Sequence, residues 1–268
     1  MTAEKKITFH ESERSEQSRR ILVTNDDGVE SDGLMRLAAA LGEVYEVVVA
    51  APAADFSGSG TGIGRFSPKA GVEMSPLASF DHGSQAIDGP PGLAVMAAAL
   101  GAFGEPPDLV VSGPNAGMNT GHSVIHSGTV GAVLGARTFG IPGVALSLQA
   151  SDPWYWDTAA KVGVQIVDWM LENDDEMLTL NVNIPARPYD ELRKPVWAYL
   201  DDFGYFHIAD ADLERELLLF EVEGSDAGQD PGCDTARCRS GHVSITPLTG
   251  VKTAPYPHVD PSELVQIS

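Results

Sequence analysis

The sequence has few cysteines and no long apolar segment, and each absence removes a class of protein. Cys233 and Cys238 are the only two cysteines, and no histidine pair stands at finger-like spacing, so neither a disulfide scaffold nor a structural zinc site is indicated. No apolar run reaches the ~18 residues of a membrane span. The first twenty residues also lack the apolar stretch of a signal peptide, so we expect a cytoplasmic protein.

Basic residues are scarce relative to acidic ones. The 268-residue chain has 17 Lys and Arg against 38 Asp and Glu, a formal net charge of −21. Such a charge repels nucleic-acid backbones, and no local basic patch offsets it, so we expect no binding to DNA or RNA. Cations are natural counter-partners, but a solvated acidic surface explains the same composition, so charge alone does not locate a metal site.

Strand-like and helix-like segments alternate between residues 19 and 185. Residues 21–24 form a short apolar run suited to a strand buried on both faces, and residues 34–41 repeat apolar side chains at helical spacing. Four further strands and three further helices follow in turn. The alternation predicts parallel βαβ units with right-handed crossovers, and therefore an α/β fold with a Rossmann-like, doubly wound, mostly parallel sheet.

The two ends of the chain differ from this core. Residues 1–18 are polar and without periodicity, which predicts a disordered leader. Residues 186–268 contain strand-like pieces without clear helices between them, which predicts β-hairpin extensions and a C-terminal tail. Such an arm often makes subunit contacts, so we expect a homodimer or homotetramer, although hairpins packed on their own domain would show the same pattern.

Polar residues follow the carboxyl ends of the predicted strands, where open α/β sheets bind ligands. Asp26 and Asp27 stand side by side after the first strand, and two adjacent carboxylates repel each other unless a cation neutralises them. A hard divalent ion such as Mg²⁺, Mn²⁺ or Ca²⁺ fits, and Ser57 and Asn115 at neighbouring strand ends can add neutral oxygens. The alternative is that one aspartate merely caps the next helix.

Two glycine-rich segments, residues 57–64 and 117–129, offer backbone N–H groups and hydroxyls to an anion. The second segment leads directly into a helix, whose N-terminus favours phosphate. Neither segment matches a nucleotide-binding P-loop, no G-x-G-x-x-G follows the first strand, and no G-x-S-x-G elbow occurs. ATP hydrolysis, dinucleotide redox chemistry and serine esterase activity therefore lack their sequence signatures.

Six segments spread over residues 21 to about 248 carry a further signal: ILVTNDDG, APAADFSGSG, VVSGPNAGMNTGHSVIHSGTVGAVLGA, GIPGVALS, LNVNIP and GHVSITPL. In their order and spacing they resemble the SurE family, the survival protein E phosphatases. The resemblance implies a metal-dependent 5′/3′-nucleotidase or acid phosphatase that hydrolyses nucleoside monophosphates to nucleoside and phosphate. It also implies a divalent ion in each subunit, with Mg²⁺ or Mn²⁺ favoured, and a C-terminal hairpin region that joins subunits.

At matching positions the resemblance assigns individual roles. The metal ligands fall on Asp26, Asp27, Ser57 and Asn115. The phosphate contacts fall on Gly58, Asn119, Ser127, Gly128 and Thr129. Asn25 is expected either to shape the turn or to touch substrate. Asp26 and Asp27 are also the expected catalytic residues, with Asp26 accepting a proton from the attacking water.

The sequence departs from the family pattern on the substrate side. His126 stands where the family has tyrosine, residues 88–95 lack the usual threonine and cysteine, and the loop at 61–68 is short of apolar residues. His126, and less directly His122, could protonate the leaving group, or could serve only in packing and on an exposed loop. Two alternatives therefore stay open: hydrolysis of another phosphoester, such as polyphosphate or a sugar phosphate, and metal-dependent binding of a phosphorylated ligand without turnover.

Overall fold

The structure is a computed structural model of the chain. It describes residues 19–65, 71–80, 83–173, 177–202, 206–214, 217–224 and 228–252. The predicted leader and most of the predicted C-terminal tail lie outside these residues, as do residues 66–68 of the loop that departs from the family pattern.

The described residues contain eleven strands and five α-helices. The strands are β1 Arg20–Thr24, β2 Glu46–Pro52, β3 Met74–Pro76, β4 Gln85–Ile87, β5 Leu109–Ala116, β6 Gly143–Leu148, β7 Thr179–Ile184, β8 Arg193–Trp197, β9 Phe206–Glu214, β10 Leu217–Gly224 and β11 His242–Pro247. The helices are α1 Asp32–Gly42, α2 Pro91–Ala99, α3 Gly128–Thr138, α4 Trp156–Glu172 and α5 Asp234–Arg239.

Nine strands form one sheet in the order β3-β4-β2-β1-β5-β6-β7-β11-β8. The five central strands, from β2 to β7, are parallel and correspond to the five strands predicted in the core. The predicted α/β class with a mostly parallel sheet is confirmed. Because these strands run in the same direction, the loops after β1, β2, β5 and β6 all emerge at one edge of the sheet.

The sheet is covered on both faces, which explains why its strands are almost continuously apolar. Successive residues of β1 point to opposite faces: Ile21 and Val23 belong to the core beneath α1 and α4, and Leu22 belongs to the core beneath α2 and α3. All three side chains are buried. No described helix has both the length and the apolar character needed to span a membrane.

The region beyond residue 186 is arranged in two ways. Strands β9 and β10 form a separate antiparallel hairpin, whereas β11 extends the main sheet antiparallel to β7 and pairs on its other side with β8 in parallel. The short helix α5, which the sequence did not predict, precedes β11. Its six residues are too few to produce a helical periodicity. Both cysteines lie in or beside α5 as buried free thiols.

Candidate active site

The aspartate pair lies immediately after β1, in a turn held by its own polar side chains. Asn25 is fully buried, and its Nδ2 donates to the Gly28 carbonyl at 3.0 Å and to Ser31 Oγ at 2.7 Å. Of the two roles predicted for Asn25, these bonds support the shaping of the turn. Asp26 is only 3% exposed, and Asp27 is partly buried. The turn therefore presents two desolvated carboxylates at the ligand-binding edge of the sheet.

Residues from β5 and α3 surround this pair. Thr129 Oγ1 donates to Asp26 Oδ1 and lies 3.4 Å from Asn115 Oδ1. The backbone N–H of Ala116 donates to Asp27 Oδ2 at 3.4 Å. Two strand ends and a helix start therefore converge here, although residues 26 and 129 are far apart in sequence. Asp26, Asp27 and Asn115, three of the four predicted metal ligands, lie in one connected group.

The loop after β2 brings Ser57 to the same edge through the backbone. The Asp26 carbonyl accepts the N–H of Phe56 at 2.8 Å, so the neighbouring Ser57 is tied to the pair. The Ser57 N–H and hydroxyl both donate to Asp55 Oδ1, at 2.7 and 2.6 Å. Gly58 is exposed and adopts a positive φ of 82°, a conformation that favours glycine. Ser57 therefore has a lone pair free for a cation while its hydrogen points to Asp55.

The N-terminus of α3 approaches the carboxylates very closely. A Cβ added at Gly128 would lie 2.6 Å from Ser59 Oγ and 2.7 Å from Asp26 Oδ2, so only glycine fits this position. Ser127 is the N-cap residue of α3, and its Oγ accepts the Val130 N–H at 3.1 Å. The predicted phosphate residues at positions 127–129 thus place a helix N-terminus directly beside the aspartate pair.

Asn119, another predicted phosphate residue, is held in the loop after β5. Its N–H donates to Asn183 Oδ1 at 2.9 Å, and its carbonyl accepts from Asn183 Nδ2 at 2.9 Å and from Asn181 Nδ2 at 2.8 Å. Its own Nδ2 donates to Ser147 Oγ at 2.9 Å. Sequence reasoning did not predict a role for these partners. The only available signal was the presence of two asparagines in an otherwise apolar strand.

The two histidines lie in a 3-10 helix, Gly121–His126, between Asn119 and α3. Both His122 and His126 are exposed. The backbone carbonyl of His126 accepts the Gly60 N–H at 3.1 Å, which joins the two glycine-rich segments. The start of this helix is fixed by the buried Asp234 of α5, whose Oδ2 accepts the Gly121 N–H at 3.0 Å. An acid–base role for either imidazole stays a prediction.

The family model of Survival protein SurE matches residues 21–203 of the chain. The chain belongs to the SurE family. It is 34% identical to the 5′-nucleotidase SurE of Halorhodospira halophila over 238 residues, which is 85% of this chain and 90% of that protein. It is 36% identical to the 5′-nucleotidase SurE of Methylococcus capsulatus, again over 85% of this chain and 90% of that protein. The resemblance found in the sequence is confirmed.

A solved structure supports the same assignment. The fold is similar to the SurE protein of Aquifex aeolicus with a TM-score of 0.72, at 30% sequence identity and over 85% of this chain and 92% of that one. The similarity therefore extends over most of both chains.

The electrostatics of the pair fit the divalent ion on which SurE nucleotidases in general depend. Burial raises the pKa of Asp26, and hydrogen bonding from Thr129 opposes that rise. Burial and the adjacent charge of Asp26 raise the pKa of Asp27 to about 6, opposed by the Ala116 N–H. Among the described residues, no Lys, Arg or His forms an ion pair with either carboxylate. A bound cation would relieve both the repulsion and the loss of solvation.

The donor set also indicates the kind of ion. The part of the chain that the structure describes contains no cluster of three or more His, Cys, Asp or Glu that could hold a metal. The predicted ligands are instead two carboxylates together with the hydroxyl oxygen of Ser57 and the amide oxygen of Asn115. Oxygen donors of this kind suit Mg²⁺, Mn²⁺ or Ca²⁺, whereas zinc sites use histidine and cysteine far more often.

A large groove of about 980 Å³ lies elsewhere on the molecule and contains none of the predicted site residues. It is formed by α4, β7, β8 and β11, and its walls are mostly apolar, with Trp169 and Trp197 in edge-to-face contact. It has no adjacent carboxylate pair and no helix N-terminus comparable to that of α3. The groove therefore lacks the features that the sequence analysis associates with a metal and phosphate site.

Proposed function

We propose that the chain is a divalent-metal-dependent 5′-nucleotidase that hydrolyses nucleoside 5′-monophosphates, and also 3′-monophosphates, to nucleoside and phosphate. The observation that carries this proposal is the pair of desolvated carboxylates, without a cationic partner, placed against the N-terminus of α3. The substrate class is supported by relatives at 34% and 36% identity that are named 5′-nucleotidase SurE.

In this proposal Asp26, Asp27, Ser57 and Asn115 hold one ion, Mg²⁺ or Mn²⁺, in each subunit. Bound there, the ion supplies Lewis acidity toward the phosphoryl group and the attacking water. Asp26 already accepts the Thr129 hydroxyl and is almost fully buried. Asp27 is the more exposed of the two, so we assign to it the acceptance of the water proton, in place of the assignment to Asp26 made from the sequence.

The phosphate group is held by the loops on either side of the pair. The positive end of the α3 dipole at Gly128 and Thr129 stabilises negative charge on the phosphoryl oxygens. The backbone N–H groups of these two residues face Asp26 and lower its pKa. The Ser127 N–H donates to the Val124 carbonyl at 3.2 Å, and Ser127 Oγ accepts the Val130 N–H. The hydroxyl hydrogen is therefore the donor that Ser127 offers to phosphate. Asn119 and Gly58 complete the cradle from opposite sides. Positioned donors of this kind are the main protein contribution to phosphoryl transfer.

We also propose that the protein is a homodimer or homotetramer in which the β9–β10 hairpin contacts another subunit. Within the described residues, the hairpin pairs with no strand of the main sheet. An isolated two-stranded hairpin is marginally stable in water, so a neighbouring surface is needed to order it. Sedimentation velocity of the full chain, compared with a variant in which the hairpin is replaced by a short glycine-serine turn, tests this point. The cytoplasmic location stays a prediction.

The experiment that tests the proposed substrate is phosphate release from a matched set of esters. The set contains 5′- and 3′-mononucleotides, ribose 5-phosphate and tripolyphosphate, each with Mg²⁺, Mn²⁺ or chelator. Preference for a mononucleotide over ribose 5-phosphate supports the nucleotidase. Equal or faster hydrolysis of ribose 5-phosphate or polyphosphate would favour the alternative of an enzyme that hydrolyses another phosphoester. Nucleotide binding without release from any ester would favour the non-catalytic binding protein.

A further inference from the structure

Strand β7 carries two asparagines that point into the protein interior. Asn181 and Asn183 are both 0% exposed, and they alternate with Leu180, Val182 and Ile184, which pack in the core beneath α1 and α4. Because successive side chains of a strand point to opposite faces, the asparagines lie on the other face of the sheet. Solvent therefore does not explain their polarity.

Burying a carboxamide is unfavourable unless its hydrogen bonds are replaced. At Asn181 this replacement is incomplete, since its Oδ1 has no hydrogen-bond partner among the described residues. Apolar side chains at both positions would match the remainder of β7 and avoid that penalty. The asparagines therefore require an explanation in terms of what they bind.

Both asparagines bind the peptide backbone of one residue, Asn119. Asn183 accepts the Asn119 N–H and donates to the Asn119 carbonyl, both at 2.9 Å, and Asn181 donates to the same carbonyl at 2.8 Å. The planar carboxamide of Asn183 bonds to both the N–H and the C=O of Asn119. It therefore restricts rotation about the backbone bonds on either side of the Asn119 Cα. The direction of the Asn119 side chain is thereby fixed, and Ser147 Oγ then holds its Nδ2.

We propose that Asn183 is a positioning residue for phosphate binding, which acts by fixing the backbone of Asn119. This inference rests on the proposed function, in which Asn119 contacts the phosphoryl group. Asn183 itself is fully buried and does not touch substrate. A misplacement of about 1 Å in a group that orients substrate can lower the rate by about 10²-fold, so a rigid connection to β7 has a direct kinetic consequence.

A purely structural role for Asn183 would affect different quantities. If the carboxamide only joined the loop to the sheet, its removal would lower thermal stability and metal affinity along with activity. If it positions Asn119, its removal lowers kcat and the affinity for inorganic phosphate, while Mn²⁺ affinity at Asp26 and Asp27 is unchanged. The two aspartates share no hydrogen bond with Asn183 among the described residues.

The test compares Asn183→Leu, which keeps the number and branching of the side-chain heavy atoms but removes two bonds, with Asn181→Leu, which removes one bond. Asn183→Asp retains the acceptor for the Asn119 N–H and serves as the conservative rescue. For each full-length protein, kcat and KM for a 5′-mononucleotide, the Kd of inorganic phosphate in saturating Mn²⁺, the Kd of Mn²⁺ and the Tm are measured.

We expect Asn183→Leu to lower kcat and phosphate affinity by about 10- to 100-fold with Mn²⁺ affinity intact, and Asn181→Leu to have a smaller effect. Asn183→Asp should recover part of the loss, and it carries the test if the leucine variant does not fold. Unchanged kcat and phosphate affinity in folded variants, or parallel losses in Mn²⁺ affinity and Tm, would overturn the inference. If the wild type hydrolyses no ester, the proposed function fails, and the phosphate Kd still tests the positioning of Asn119.

Discussion

Replacing Asp27 by asparagine should stabilise the metal-free protein while it removes the metal site. Asp27 is partly buried beside another carboxylate, and these two effects raise its pKa to about 6 from an ordinary value of 3.8. A shift of about 2 pH units corresponds to an upper limit of about 3 kcal/mol by which the ionised group destabilises the fold at neutral pH. Asparagine keeps the shape of the side chain and lacks the charge.

The stability advantage of Asp27→Asn should depend on pH, because Asp27 is protonated over different pH ranges in the folded and unfolded chain. Between about pH 4 and pH 6 the folded protein keeps a proton on Asp27 that the unfolded chain has already lost. Unfolding then releases a proton, so the free energy of unfolding of the wild type falls as the pH rises through this window. The advantage of Asp27→Asn should therefore be largest at pH 7 to 8, smaller at pH 5, and close to zero below pH 4.

The assay is urea unfolding in chelator at several pH values, with the exposed Glu30→Gln, three residues away, as the matched control. Adding Mn²⁺ at 1,000 times its Kd should reverse the order of stability, because it stabilises the wild type by about 4.1 kcal/mol and the variant hardly at all. The reasoning is refuted if metal-free Asp27→Asn is no more stable than the wild type at pH 7, or if Glu30→Gln gains as much.

Three further predictions concern the same site. The apparent affinity for Mn²⁺ should fall by about tenfold for each pH unit below 6, because the ion must displace the proton of Asp27; calorimetric titration that shows no change between pH 7 and pH 5 would contradict this. Gly128→Ala should abolish metal binding, since the added Cβ would lie 2.7 Å from Asp26 Oδ2. The control is Gly135→Ala in the same helix, where the space around the added Cβ is open. This control should leave Mn²⁺ affinity unchanged and raise the free energy of unfolding in urea by up to about 1 kcal/mol. Thr129→Val should raise the pKa of Asp26 further and lower kcat by about 10²-fold, and Thr129→Ser should keep most of the activity; equal kcat values for the two variants would exclude a role for the hydroxyl.

The core of the fold could be predicted because each of its segments has a strong local signal. The apolar run of β1 and the helical repeat of α1 reflect burial on two faces and on one face, respectively. The elements that were missed are short. Strands β3 and β4 have three residues each and α5 has six, too few for a periodic pattern. The position of β4 depends on its pairing with β2, and β3 in turn pairs with β4.

The candidate site, like the fold, could be predicted from the sequence only in part. The aspartate pair and the glycine-rich loops could be predicted because parallel strands bring their carboxyl ends to one edge of the sheet. The connection from Asn183 to Asn119 could not, since 64 residues separate the partners and only the register of β7 brings them together. Likewise the bond from Thr129 to Asp26 follows from the way α3 docks against the first turn, which no local pattern encodes.

The most direct test of the central claim is phosphate release from a 5′-mononucleotide at increasing Mn²⁺ concentration, for the wild type and for Asp26→Asn. Binding of Mn²⁺ is followed by calorimetry on the same samples. If the aspartate pair is the metal site, phosphate release by the wild type should saturate with Mn²⁺ and stop in chelator. The midpoint of the rate should equal the Kd of Mn²⁺ for the wild type. For Asp26→Asn, both the rate and the binding should disappear. Release that persists in chelator, or that Asp26→Asn retains with full Mn²⁺ affinity, would contradict this assignment.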